Sequence, residues 1–80
     1  MTFYALYDAK QELYYTPVLM ANDQTAIRWF TTVINGNDEV ISSFPEDFSL
    51  YKIAEFDKKN GNIAPAKKML INGTQVKKEA

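Results

Sequence analysis

Between Thr2 and Asp8 the chain reads TFYALYD, a short aromatic run closed by the polar stretch Asp8 to Glu12. A strand is predicted here, with Phe3, Ala5 and Tyr7 on one face and Tyr4 and Leu6 on the other. Residues 13–20, LYYTPVLM, predict a second strand that returns through a hairpin loop. Leu13, Tyr15, Pro17 and Leu19 share one side of it; Tyr14, Thr16, Val18 and Met20 share the other. Pro17 has no N–H to give to a ladder, so this strand is interrupted there or lies at a sheet edge.

At Asn22 the period changes from two to 3.6. Ala26, Ile27, Phe30, Val33 and Ile34 follow the i, i+3, i+4, i+7, i+8 spacing of one buried stripe, with Trp29 on its flank. Asn22 is suited to cap the first turn, and Asp23 sets a negative charge against the positive end of the helix dipole. Asn35-Gly36 ends the run, with Gly36 suited to a left-handed residue after a helix C-terminus. A helix over 22–35 follows.

Residues 37–47, NDEVISSFPED, read as an irregular polar segment that Val40, Ile41 and Phe44 can pin down. Phe48 to Asp57 alternates again: Phe48, Leu50, Lys52, Ala54 and Phe56 against Ser49, Tyr51, Ile53, Glu55 and Asp57. Asn60-Gly61 supplies the positive φ of a tight hairpin. Residues 62–71 return as a strand broken near Pro65, and Asn72-Gly73 marks another turn. The fold class is α+β: a small antiparallel sheet, ordered β-β-α-β-β along the chain, with one helix packed on one face. Residues 1–71 form the single domain, and 72–80 a flexible basic tail that frays. One helix covers one face, so the other exposes Tyr4, Tyr51 and Ile53 unless a second copy or a ligand covers it.

Eighty residues are too few for two lobes around a cleft, since a chain of this size buries only about 60% of its unfolded surface. The sequence has no cysteine and no histidine. Disulfides, cysteine-ligated zinc, a thiol nucleophile and an imidazole base are thereby excluded. The N-terminus lacks the basic start and apolar run of a signal peptide, and no stretch approaches the roughly 18 apolar residues of a membrane span. A soluble, nonenzymatic protein without cofactor or metal is expected, with no membrane partner.

The formal charge of −1 conceals a split. Residues 1–49 hold Lys10 and Arg28 against seven acids; residues 50–80 hold seven lysines against Glu55, Asp57 and Glu79. The acid pairs Asp38/Glu39, Glu46/Asp47 and Glu55/Asp57 read as solvated charge or caps rather than a general acid–base pair, which needs a cleft. Pro45-Glu46-Asp47 suits a short turn, with Asp47 accepting backbone N–H groups. Ser42-Ser43 has no base at a motif-like spacing. The three glycines each follow an asparagine and mark turns, not a phosphate loop. Asn72-Gly73-Thr74 matches the N-glycosylation pattern by chance.

Lys58-Lys59, Lys67-Lys68 and Lys77-Lys78 form three doublets, the first two on opposite arms of the expected hairpin. A basic track beside aromatic platforms is the chemistry of single-strand binding, each stacked base contributing on the order of 1–3 kcal/mol. Lys52, Lys58, Lys59, Lys67, Lys68 and Arg28 are the candidate phosphate contacts. Tyr4, Tyr51, Tyr14 and Trp29 are the candidate stacking surfaces. The plainer alternative is a solvated lysine fringe that guards sheet edges, with the Arg28 stem packed along the sheet.

Three stretches, taken in order, resemble a known family: Tyr7-Asp8 with its polar loop; Asn22-Asp23-x-x-Ala26-Ile27-Arg28-x-Phe30; and Pro45-Glu46-Asp47-Phe48-Ser49-Leu50-Tyr51 running into Glu55-Phe56-Asp57 and Gly61. Over roughly residues 3–65 the chain resembles the small nonstructural protein of gokushoviruses, single-stranded DNA phages of the Microviridae often described as DNA-binding. The resemblance implies a phage accessory protein of the host bacterial cytoplasm, acting in genome replication or in the switch to single-stranded genome synthesis and packaging. It carries no catalytic residues to transfer, and the lysine-rich segment 66–80 lies outside it. The expected function is a homodimer that binds single-stranded DNA. The alternative is a homodimeric module that binds a host replication protein or a phage capsid protein without touching DNA.

Overall fold

The computed structural model describes residues 1–79. Five strands form one antiparallel sheet: β1 (Thr2–Asp8), β2 (Leu13–Tyr14), β3 (Val18–Met20), β4 (Phe48–Phe56) and β5 (Ile63–Asn72). Their order is β2-β1-β4-β5, with β3 also paired to β1. The main helix, α1 (Asp23–Ile34), and a short one, α2 (Glu39–Ser43), complete the α+β fold expected from the pattern.

The expected second strand is split where Pro17 stands. β2 pairs Leu13 with Asp8 and Tyr14 with Tyr7, whereas β3 pairs Val18, Leu19 and Met20 with Tyr4, Phe3 and Thr2. Between them only the Tyr15 N–H reaches β1, donating to the Leu6 carbonyl at 2.8 Å.

In α1 the Asn22 side chain accepts the Thr25 N–H at 2.9 Å, closing the first turn. Ala26, Phe30 and Ile34 are fully buried, and Ile27, Trp29 and Val33 pack around them. The helix does not end through a left-handed Gly36, because among the described residues the only glycine with positive φ is Gly61. Asn35 ends it instead, its side-chain N–H₂ donating to the Thr31 carbonyl at 2.8 Å. Gly36 serves by lacking a Cβ, which would stand 3.0 Å from the Thr32 carbonyl oxygen.

The segment read as irregular contains α2, capped by Asp38, whose carboxylate accepts the Val40 and Ile41 N–H groups at 3.0 and 3.1 Å. Only Ile41 pins it; Val40 and Phe44 stay exposed. A 3₁₀ turn follows at Pro45–Asp47. There the Asp47 main chain does the bonding, its carbonyl accepting the Ala9 N–H.

The chain does not come free at Asn72. Gly73–Gln75 form a 3₁₀ turn, Gly73 is buried, and Val76 packs against the core. Asn35 donates from its side chain to the Val76 carbonyl at 3.0 Å and accepts the Lys78 N–H at 2.8 Å. The expected flexible tail over 72–80 is thus docked as far as Lys78; its last residue, Ala80, lies outside the described residues. The core is Tyr4, Leu6, Phe30, Ile34, Phe48 and Leu50, sealed by Ala26 and Ile41.

Candidate nucleic-acid interface

Strand register decides which side chains share a face. Tyr4 lies opposite Lys52 and Leu6 opposite Leu50, whereas Ala5 lies opposite Tyr51. Cα partners of an antiparallel pair point the same way, so Tyr4, Leu6, Leu50 and Lys52 face α1 while Ala5 and Tyr51 face away. Ile53 has no partner in β1: Phe3 pairs with Ala54, and the register shifts between Phe3 and Tyr4. One extra residue inverts the alternation beyond it. Ala54 and Phe56 therefore leave the face of Phe48 and Leu50, contrary to the strict alternation expected.

The face away from α1 carries a tyrosine cluster. The Tyr7 and Tyr14 ring centroids lie 4.6 Å apart, Tyr7 and Tyr51 5.5 Å, and Tyr14 and Tyr51 5.3 Å at 88° between planes. Edge-to-face and tilted contacts of this kind stabilise by about 0.5–1.5 kcal/mol per pair beyond area burial. Ala5 leaves room beneath the rings and has no accessible surface of its own. The Lys67 ammonium stands 5.4 Å from the Tyr14 centroid, within cation–π range. Along the same face Phe3 meets Phe56 edge-on at 6.1 Å. A shallow hollow of about 320 Å³ opens there, lined by Phe3, Pro17, Ile53, Ala54 and Ile63. Ile63 is 58% exposed and Met69 49%, so the face is apolar and open to water at both ends.

The opposite face holds a polar cluster at the start of α1. The Tyr4 hydroxyl donates to Asp23 Oδ1 at 2.6 Å. Lys52 Nζ pairs with Asp23 at 3.4 Å and with Glu55 at 3.7 Å, and Glu55 accepts the Thr2 hydroxyl at 2.8 Å. Burial, with Asp23 adding to it, pushes the Tyr4 phenol up to about 12. The hydrogen bond from Tyr4 and the Lys52 ammonium hold the Asp23 carboxyl below its ordinary value. Burial and the charges of Asp8 and Asp38 likewise raise Tyr15, whose ring lies 6.5 Å from Phe48.

The expected site residues therefore separate. Tyr51, Tyr14 and Lys67 come together on the open face. Lys58 and Lys59 project from the turn between β4 and β5, beside a recess that also includes Met1, Asp57 and Asn60. Tyr4 is not a platform: it has no accessible surface and lies under α1. Lys52 is held in its ion pairs, with Lys68 beside it in register. Arg28 points outward from α1, and Trp29 is half-buried against the core. Tyr7 was missed as a platform residue, although a signal existed. Tyr7 and Tyr14 stand equally far from the centre of the loop that joins their strands, as cross-strand partners must. Among the described residues no three acids gather closely enough to hold a metal ion, and no helix is long and apolar enough to cross a membrane.

The family described as Phage ORF5 protein matches residues 1–76, and the chain belongs to it. Protein ORF5 of Chlamydia phage 1, a gokushovirus, is 33% identical over 69 residues, covering 81% of this chain and 72% of that protein. The resemblance carried by the three sequence stretches is thereby upheld at the level of family. No solved structure matches the chain.

Proposed function

We propose that this phage protein is nonenzymatic and binds single-stranded DNA across the open face of its sheet, during genome replication or the change to single-stranded genome synthesis and packaging in the infected cell. The observation that carries the reading is the Tyr7–Tyr14–Tyr51 cluster with Lys67 seated over one ring. Unpaired bases stack on exposed aromatic faces, which a duplex cannot offer, and ammonium groups at the margin meet the phosphates. Lys58, Lys59 and Lys67 are the phosphate contacts that remain once Lys52 is committed to Asp23 and Glu55. Few such contacts on a chain of net charge −1 imply modest, salt-sensitive affinity. Fluorescence anisotropy of a labelled oligonucleotide across a salt series tests this. Binding at low salt that weakens in Tyr14→Ala, Tyr51→Ala and Lys67→Glu supports it. No binding at low salt, or binding indifferent to all three changes, removes it.

A second reading is favoured by the uncharged hollow between Phe3, Pro17, Ile53, Ala54 and Ile63. In that reading the face receives a host replication or phage capsid protein and never touches DNA. Complexes recovered from infected cells separate the two, since protein partners persist through nuclease treatment only in the second.

A further inference from the structure

We propose that the open face also receives a second copy of this chain, stacked face to face and head to tail, and that the second copy and single-stranded DNA exclude one another. The exclusion rests on the DNA reading above; the dimer does not.

Size is the first argument. The molecule measures 45 × 23 × 18 Å, a footprint of roughly 1,000 Å² for its broad face. A stable interface takes about 800 Å² from each partner. A second copy on an interface of that size covers most of the face, the tyrosine cluster included. Exposed apolar side chains are spread accordingly, with Tyr14 near one end, Leu19 and Met69 between, and Ile63 near the other. A contiguous surface of this kind is unusual on a chain that stays alone in water.

Charge sets the direction. One end of the long sheet gathers Asp8, Glu12, Asp38, Glu39, Glu46 and Asp47 against Lys10 and the docked Lys77-Lys78 pair, and stays acidic on balance. The half that ends in the β4–β5 turn carries Lys52, Lys58, Lys59 and Lys68 against Asp23, Glu55 and Asp57, while the Lys67 ammonium reaches back over Tyr14. A two-fold axis running across the strands lays the lysine turn of each copy over the acidic end of the other. An axis along the strands would set like ends together, which costs free energy over the short range that salt permits. Ala54 stands two residues from the end of β4 and Ile63 opens β5, so the apolar hollow lies toward the lysine end of the sheet. The crosswise axis lays each hollow toward the tyrosine cluster of the other copy and covers both.

Sedimentation velocity at tens of micromolar, with and without a short oligodeoxythymidine, reads both parts. Twice the 9.2 kDa chain mass without DNA, and one chain per complex at saturating oligonucleotide, is the expected result. Ile53→Lys is expected to sediment as one chain and still bind the oligonucleotide. The chain has no cysteine. Asn60→Cys and Gln11→Cys chains should therefore cross-link when mixed under mild oxidation, and neither should do so alone. This arm does not depend on the folding of Ile53→Lys. A single chain at every concentration overturns the dimer whatever DNA does. Cross-linking of Asn60→Cys to itself overturns the head-to-tail arrangement. A dimer that persists with saturating oligonucleotide overturns the exclusion. A dimer that never binds DNA at low salt removes the DNA reading and leaves the dimer standing.

Discussion

The Tyr4 hydroxyl donates to the Asp23 carboxylate at 2.6 Å, tying the middle of the sheet to the first residue of the main helix. Phe48, Leu50 and Leu6 seal the same layer, so the phenol sits in the core with its one polar atom satisfied. The pairing takes Tyr4 out of any binding platform. It also makes the helix start dependent on a side chain nineteen positions away.

Tyr4→Phe is expected to lower unfolding stability by about 1.5–3 kcal/mol, the scale of a hydrogen bond to a charged group. The effect should depend on pH at both extremes. The folded Tyr4 value lies above its ordinary 10.0, so its contribution is complete below 10 and is lost as pH rises toward about 12. The folded Asp23 value lies below its ordinary 3.8, so that contribution is present above 3.8 and is lost as pH falls through the lower folded value. Urea titrations across pH should show the alkaline loss flattened in Tyr4→Phe and the acid loss reduced in Asp23→Asn.

Gly73 and Gly61 should respond differently to alanine. A Cβ on Gly73 would lie 2.2 Å from the Pro45 carbonyl oxygen and 2.9 Å from Ile34 Cδ1. Gly73→Ala must move backbone, at a cost of about 1–3 kcal/mol or more. Gly61 has open space but φ of 76°, so Gly61→Ala costs about 1 kcal/mol through strain alone. Chemical denaturation midpoints should fall more for the first than for the second.

Removing residues 73–80 should destabilise the domain rather than trim a loose end. The cut uncovers the core around Val76 and leaves the Asn35 side chain without two of its partners. Asn35→Ala loses the same bonds in the full chain and should cost about 1–2 kcal/mol. A truncation with an unchanged melting temperature would refute the docking.

If the open face binds single strands, lysines should differ by position. Lys67→Gln should weaken oligonucleotide binding and reduce the salt slope by about one. Arg28→Gln, on the outward side of α1, should leave both unchanged. Equal losses in the two variants would place the contact elsewhere.

Local chemistry made much of the fold legible. Asn22 and the Ala26–Phe30–Ile34 stripe marked the helix, Pro17 marked the break between β2 and β3, and Asn60-Gly61 marked the hairpin. The signals that failed were either too short to show a period or long-range. The α2 turn was hidden because Asp38 caps a helix of five residues, too short to show a stripe. The docked end was hidden because Asn35 holds it from across the fold. Tyr7 joins the cluster through Tyr14 across its hairpin and through Tyr51 on β4, and the second contact spans more than half of the chain.

By itself the sequence determined the main helix and the strands, the surplus of rings over what one helix can cover, and the division of charge along the chain. Propensity, capping and period act within a few residues, so one chain suffices to read them. Only the tertiary structure decided sidedness: Tyr4 and Lys52 inward to Asp23, Tyr51 outward to Tyr7 and Tyr14. Side chains alternate with a period of two, so the unpaired Ile53 inverts every position beyond it, and only strand pairing reveals where that residue falls.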